Sequence, residues 1–280
     1  SLTSQAYENL ELIVIDGGST DGSVEIIKRY APQISYWVSE PDRGQTHAIN
    51  KGLERCTGDI WSYLNSDDLL TPERLAIVAQ HFQAHPTLRW LGGVSETFNA
   101  HGTLGHVAPQ SPAQKIDYLT PWHRDHPYVV PCSNVSFMHR SILDQVGNFD
   151  ESYDYSMDIE YYTRVVFQAG IEPTLIPDIL GRWRWHQQSK TFQKGLAYGF
   201  REDEDKIAKH YASYLPPQEQ VRLQQQIREQ ERWLVSRRAM ALKQGGKTQA
   251  ALTELITGVQ QYPDLLLFRP WYGAIRRCFV

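Results

Sequence analysis

The sequence predicts an α/β fold, a mostly parallel sheet with helices on both faces, carrying an antiparallel portion and a C-terminal helical extension. Three observations lead there. Short β-branched runs alternate with helical patterns from Leu10 to His81, the rhythm of strand–helix–strand units. After Trp90 that rhythm gives way to a hairpin pattern, and from about Tyr198 to long Gln-, Arg- and Glu-rich helical stretches. A chain of 280 residues accommodates one such domain and a smaller appendage.

Leu10–Ile15 is an apolar run closed by Asp16-Gly17-Gly18, a buried strand feeding a loop. Ser19, Thr20 or Asp21 can cap the helix patterned over Val24–Tyr30. Ile34–Val38 is a second strand, followed by a polar loop and a helix through Ala48–Leu53. Ile60–Leu64 is a third strand, ending in Asn65-Ser66-Asp67-Asp68. Pro72 then opens a helix toward His81, where a first turn tolerates proline. Trp90–Val94 and Leu104–Val107 flank Ala100-His101-Gly102, a hairpin turn. Helices are expected over Ser111–Leu119, Ser141–Val146 and Asp158–Ala169, and Leu180–His186 alternates as a strand.

The predicted division is 1–197 for the α/β domain and 198–280 for the helical extension. Pro216-Pro217 breaks the extension, and Leu234–Leu242, Gly245-Gly246 and Ala250–Val259 resemble one tetratricopeptide-like hairpin. Arrays of that kind need about three repeats, so a plain helical cap on the main domain is the simpler reading.

Composition narrows the function. The net charge of -4 gives no electrostatic footprint for nucleic acid. Cys56, Cys132 and Cys278 are an odd set without C-x-x-C spacing, which suggests neither a disulfide framework nor a zinc site and favours a reducing compartment. No apolar run approaches the roughly 18–20 residues that span a bilayer. The expected location is cytoplasmic, at most peripheral at the inner face of the membrane.

Chemistry concentrates just past the proposed strand ends, where open α/β sheets bind ligands. In Asp16-Gly17-Gly18-Ser19-Thr20-Asp21, glycines allow close backbone approach and aspartates accept hydrogen bonds; any tight loop shares that composition. Asp67 and Asp68 can hold a hard divalent cation and leave room for phosphate oxygens, or simply favour the start of the next helix. Between them, Ser39 to Gly52 is too polar for a core. Arg43 and Lys51 could face a diphosphate, and Asn50 could bind a sugar or hold a loop.

The string NLELIVIDGGSTDGSVEII, then SEPDRGQTHAINKG, then GDIWSYLNSDD resembles family 2 glycosyltransferases of the GT-A fold, strongly to Asp68 and more weakly to about Thr191. The resemblance implies sugar transfer from a nucleotide-diphosphate donor (UDP- or related), usually with inversion and with Mg²⁺ or Mn²⁺. The implied acceptor is a saccharide, a lipid-linked molecule or a protein, in polysaccharide or glycoconjugate synthesis. Asp16 is similar to the carboxylate that recognises the base, and Asn65-Ser66-Asp67 stands at the D-x-D position with asparagine for its first acid. Asp67, Asp68 and His186 become the metal set, with His186 a further ligand or a contact to the diphosphate; Asp16, Gly18, Asp42, Arg43, Asn50, Lys51, Asn65 and Ser66 become the donor set. Val146 to Ser152 followed by Tyr155-Ser156-Met157-Asp158 looks like the family's G-G-F-D-E-x-x-x-x-x-E-D segment. That match makes Asp158 the catalytic base, with Met157 in place of an acid. Arg182 to Thr191 resembles a strand ending in R-x-H-x-x-S-K-T, and alternation places Arg182, Arg184 and His186 on one face and Trp183 and Trp185 on the other. Pro131-Cys132-Ser133-Asn134 falls at the acceptor wall.

Two other readings compete. A nucleotidyltransferase would show a glycine- and basic-rich triphosphate loop, which is not visible. A catalytically inactive GT-A-like binding or scaffold module draws on Asn65 and Met157. Family members also open with an interior strand about thirty residues before the one ending at Asp16, so the expectation is a piece of a longer protein.

Overall fold

The computed structural model describes residues 1–110, 114–120, 130–191, 200–244 and 246–267. The chain forms two compact units, one within Ser1–Tyr211 and the other continuing from Ala212. The expected division between residues 197 and 198 and Cys278 lie outside the described residues.

The first unit opens with β1 (Ile13–Asp16), α1 (Ser23–Tyr30), β2 (Tyr36–Ser39) and α2 (Gln45–Arg55). β1 and β2 pair in parallel as a sheet of two strands, with Asp16 opposite Ser39. α2 packs against this ribbon, with Gly52 facing the Ile15 side chain. Asp21 accepts from the Ser23 amide at 3.1 Å and from its hydroxyl at 2.7 Å, which anchors the start of α1.

The main sheet has six strands. They are β3 (Ile60–Trp61), β4 (Leu69–Leu70), β5 (Trp90–Asn99), β6 (Gly102–Val107), β7 (Ser136–His139) and β8 (Thr174–Arg184). Their order is β3-β7-β5-β8-β4, with β6 added to the second half of β5. β5 and β8 run parallel; the remaining ladders of this sheet are antiparallel. Gly92 and Gly93 let β5 sit in the middle: a Cβ on Gly93 would lie 2.4 Å from the Leu180 side chain. The hairpin after Trp90 closes at Gly102, whose φ of 128 is a conformation that favours glycine.

α3 (Arg74–Ala84) packs on β4 and β8. Leu70, Val78, Leu88, Leu91, Val135, Phe137 and Leu180 form the core there. Arg74, 2% exposed, ties the helix to the sheet by donating to the Leu180 carbonyl at 2.6 Å, and to Thr71 and the Ile179 carbonyl. α4 (Ser141–Val146) packs on the segment that follows α5 (Met157–Arg164), and Tyr161 of α5 joins Trp61 and Phe149 in an aromatic cluster. α6 (Phe200–Tyr211) packs on α5.

Several expected elements are shorter or take another form. The third strand ends at Trp61, and the helix expected over Asp158–Ala169 passes into a π-turn at Val165–Ala169. The Ser111–Leu119 helix is a 3-10 segment over Lys115–Leu119, with 111–113 outside the described residues. The Pro72 helix begins at Arg74, after Glu73 in the left-handed region (φ 57). β4, β7 and the first half of β8 lack alternating patterns long enough to read, and their ladders with longer partners form them.

In the second unit, α7 (Pro217–Gln244) and α8 (Thr248–Gln261) pack as a hairpin around Val235, Ala239, Leu255 and Leu265. Gly258 permits their close approach, for a Cβ there would fall 2.4 Å from Val235.

Candidate active site

β1 delivers Asp16 to the carboxyl end of the two-stranded ribbon, where it is 9% exposed. Its carboxylate accepts from the Gly18 amide (3.1 Å), the Ser19 amide (2.9 Å), the Ser19 hydroxyl (2.5 Å) and the Ser39 hydroxyl (2.6 Å). The hydroxyls of Ser19 and Ser39, more than burial opposes, pull its pKa down to about 2. Asp16 is therefore a fixed, ionised acceptor. Gly18 (φ 85) packs on Pro41, and Gly17 leaves room for Asp42, whose Oδ2 would lie 2.5 Å from a Cβ. The loops after β1 and β2 are thus sewn together, and Asp42 caps the Gly44 amide at 2.9 Å.

The basic candidates already hold carboxylates. Arg43 forks onto Glu151 at 2.8–3.0 Å, and Lys51 meets Glu40 at 2.8 Å. The Arg43 side chain is 68% exposed, so exchanging Glu151 for a phosphate costs little. Asn50 is buried and clamps Phe149, donating to its carbonyl (2.9 Å) and accepting from its amide (3.0 Å). Of its two expected roles, loop-holding is the one its hydrogen bonds serve.

The loop between β3 and β4 carries the acidic pair. Asn65 accepts from Gln45 of α2 at 2.7 Å, and Ser66 is exposed. Asp67 and His186, from segments 119 residues apart, meet with Oδ2 and Nε2 separated by 2.9 Å, and the Asp67 carbonyl accepts from Arg184 Nε at 2.8 Å. Asp68 turns inward: it is 5% exposed and accepts from the Arg184 amide at 2.9 Å, extending the β4–β8 ladder. Burial pushes its pKa up to about 6. Asp68 is therefore engaged within the protein, while Asp67 and His186 are each about one third exposed.

Asp158 stands in the first turn of α5 and accepts from the Ile159 amide at 2.9 Å. Protein encloses it on most sides although part of it reaches solvent. This desolvation lifts its pKa to about 6, with Lys190 pulling weakly the other way. Cys132 and Tyr63 feel the charges of both Asp68 and Asp158, and burial raises both, the Cys132 thiol to about 12. The β3–β4 loop, the 131–134 segment and the start of α5 therefore converge. Asn134 of that segment is buried and donates to Ser95 at 3.1 Å. Beyond it, Arg182 and Arg184 cover Phe98 at 4.4 and 4.5 Å, while Trp183 and Trp185 meet edge-to-face.

The family model described as glycosyl transferase family 2 matches residues 1–147. The chain belongs to glycosyl transferase family 2. It is 32% identical over 184 residues to an uncharacterised glycosyltransferase of Mycobacterium tuberculosis, an alignment covering 64% of this chain and 66% of that protein. It is 29% identical over 158 residues to the O-antigen biosynthesis protein RfbC of Myxococcus xanthus, covering 55% of this chain and 12% of that one. The chain thus spans just under two thirds of the first relative and a small part of the second. Among solved structures, Staphylococcus aureus TarS 1–349 in complex with UDP-GlcNAc superposes with a TM-score of 0.59 at 16% identity, covering 99% of this chain and 74% of TarS 1–349. That likeness shows the GT-A fold.

In this family 2 chain, the motif residues come with partners that motif reading missed. Gln45 holds Asn65, Arg184 braces Asp67 and Asp68, and Lys190 faces Asp158 while pairing with Asp154 at 2.8 Å. The run Ser189-Lys190-Thr191 was a visible signal for Lys190; nothing local in the sequence marks Gln45. Among the described residues no three His, Cys, Asp or Glu side chains cluster as a metal cage, and no helix is long and apolar enough to cross a membrane.

Proposed function

We propose that this chain transfers a sugar from a nucleotide-diphosphate-sugar donor of the UDP type to an acceptor hydroxyl, with inversion, in the synthesis of a polysaccharide or glycoconjugate. The observation that carries the reading is Asp158, a desolvated carboxylate with a pKa raised to about 6, whose charge reaches Cys132 and Tyr63 together with that of Asp68, the neighbour of Asp67 in the Asp67–His186 pair. A base tuned near neutrality is suited to take the acceptor proton as the hydroxyl attacks. Asp16, held ionised, accepts from a donor N–H of the base, and Arg43 and Lys51 exchange their carboxylates for the diphosphate.

Mg²⁺ or Mn²⁺ fits the residues present. Asp67 Oδ2 would hold the ion, with His186 Nε2, 2.9 Å away, as a second protein ligand. The Asp67 carboxylate is the oxygen ligand such an ion would take, and diphosphate oxygens would add to it. When bound, the ion neutralises charge on the departing nucleoside diphosphate. His186 must give up its Nε2 proton to serve as a ligand, since a carboxylate at 2.9 Å accepts that proton in its absence. Asn65 is tied to Gln45 and supplies no charge, which suits a centre organised on Asp67.

Asp158→Asn tests the assignment. We expect kcat to fall at least about 10²-fold with donor KM little changed. Collapse of donor binding with turnover per bound complex preserved would make Asp158 a helix cap instead. Hydrolysis of nucleotide sugars in Mn²⁺ by the unaltered chain separates a working transferase from an inactive binding module.

A further inference from the structure

α5 presents Asp158 from a helix start whose own cap is silent. The first N–H groups of a helix need outside acceptors, yet the Ser156 hydroxyl is buried and makes no hydrogen bond. The acceptor comes from another helix. Asp203, in the first turn of α6 and 3% exposed, takes the Tyr155 amide at 2.7 Å and the Ser156 amide at 3.0 Å on its Oδ2. Its Oδ1 lies 3.4 Å from Lys206. At its far end α6 grips α5 again, where the Tyr211 hydroxyl donates to Glu160 at 3.0 Å and Glu160 pairs with Arg164 at 2.7 Å. The two grips, at Tyr155–Ser156 and at Glu160, bracket Asp158. The hydrogen bond that orients the Asp158 carboxylate goes to the neighbouring Ile159 amide, so its direction follows the backbone that Asp203 holds.

We propose that Asp203 is a positioning residue for Asp158, fixing the entry of α5 so that the carboxylate faces the acceptor hydroxyl. The inference rests on the reading of Asp158 as the base. Asp203 lies beyond residues 1–147 matched by the family model, on a helix the motifs do not reach. Its charge at the start of α5 also complements the positive end of that helix. Displacement of a reacting group by about 1 Å can cost about 10²-fold in rate, so loss of this anchor acts on turnover more than on donor binding.

The test uses the full chain, amide hydrogen exchange, and UDP release from UDP-GlcNAc with Mn²⁺. Asp203→Ala is expected to lose exchange protection over residues 155–160 and to lower kcat at least about tenfold while donor KM stays within about twofold. Asp203→Asn is expected to restore both, because an amide oxygen accepts the same two N–H groups. In an Asp158→Asn background, Asp203→Ala should cost no further kcat. Unchanged protection in Asp203→Ala, or kcat losses that add across the double variant, overturns the proposal. If Asp158→Asn alone keeps wild-type turnover, the base assignment fails and the claim that Asp203 acts through it falls too, while the exchange result still reports whether Asp203 anchors α5.

Discussion

Asp16 and Asp158 are the same side chain set to opposite tasks by their surroundings. Four donors hold Asp16 ionised, with its pKa near 2, whereas burial lifts Asp158 to about 6. As a base, Asp158 works only deprotonated, so kcat is predicted to fall by about tenfold per pH unit below about pH 6. Asp68 shares that raised value, so the profile should be repeated in Asp68→Asn, where the same midpoint is expected. A rate flat down to about pH 4, the ordinary range of an aspartate, goes against the assignment. The linkage to stability has opposite signs at the two kinds of site. Raised carboxylates at 68 and 158 cost stability above about pH 6, and that cost is relieved as pH falls through it. Asp16 contributes stability above its unfolded value near 3.8, and loses it as pH falls toward 2.

At the scale of elements, the candidate site depends on loops being pinned by side chains from neighbouring helices. Asn50 of α2 carries the turn at Phe149, which leads into the segment before Asp158. Asn50→Ala would leave a buried N–H and a buried C=O unpaired, a loss of about 1–3 kcal/mol for each group. Denaturant unfolding should show a drop of about 2 kcal/mol or more, with UDP affinity in the folded protein changed far less. Unaltered stability with lost UDP binding would return Asn50 to the donor set. The elements most legible in the sequence were those that carry their own signal: α2, α4 and the β5–β6 hairpin, with its Gly102 turn, stand close to where patterning puts them. β4 and β7, two and four residues long, hold no periodicity to detect; pairing with β8 and β5 makes them strands. The helix over Asp158–Ala169 was legible, but its change to a π-turn at Val165 was not, because nothing in Val165-Val166-Phe167-Gln168-Ala169 announces the extra residue.

Across the molecule, every candidate site residue from Asp16 to His186 lies in the first unit, and the second is a helical hairpin with its own core. The family was legible from three ordered motifs, and the match over residues 1–147 agrees with it. The inner partners of the site were harder to read because they are made by distance in sequence: Asp203 reaches Ser156 across 47 residues, and Arg184 reaches Asp68 across 116. Such pairs follow from the packing of α6 on α5 and of β4 on β8, which no local pattern specifies. Inverting transfer from a nucleotide sugar with Asp158 as base is open to proton NMR on a panel of nucleotide sugars with Mn²⁺, taken at early times. One α-linked donor is expected to be consumed, the first product to be the β-anomer, and Asp158→Asn to slow its appearance at least about 10²-fold. Consumption with retained α-configuration, or a panel left intact by the unaltered protein, would rule out inverting transfer by this chain.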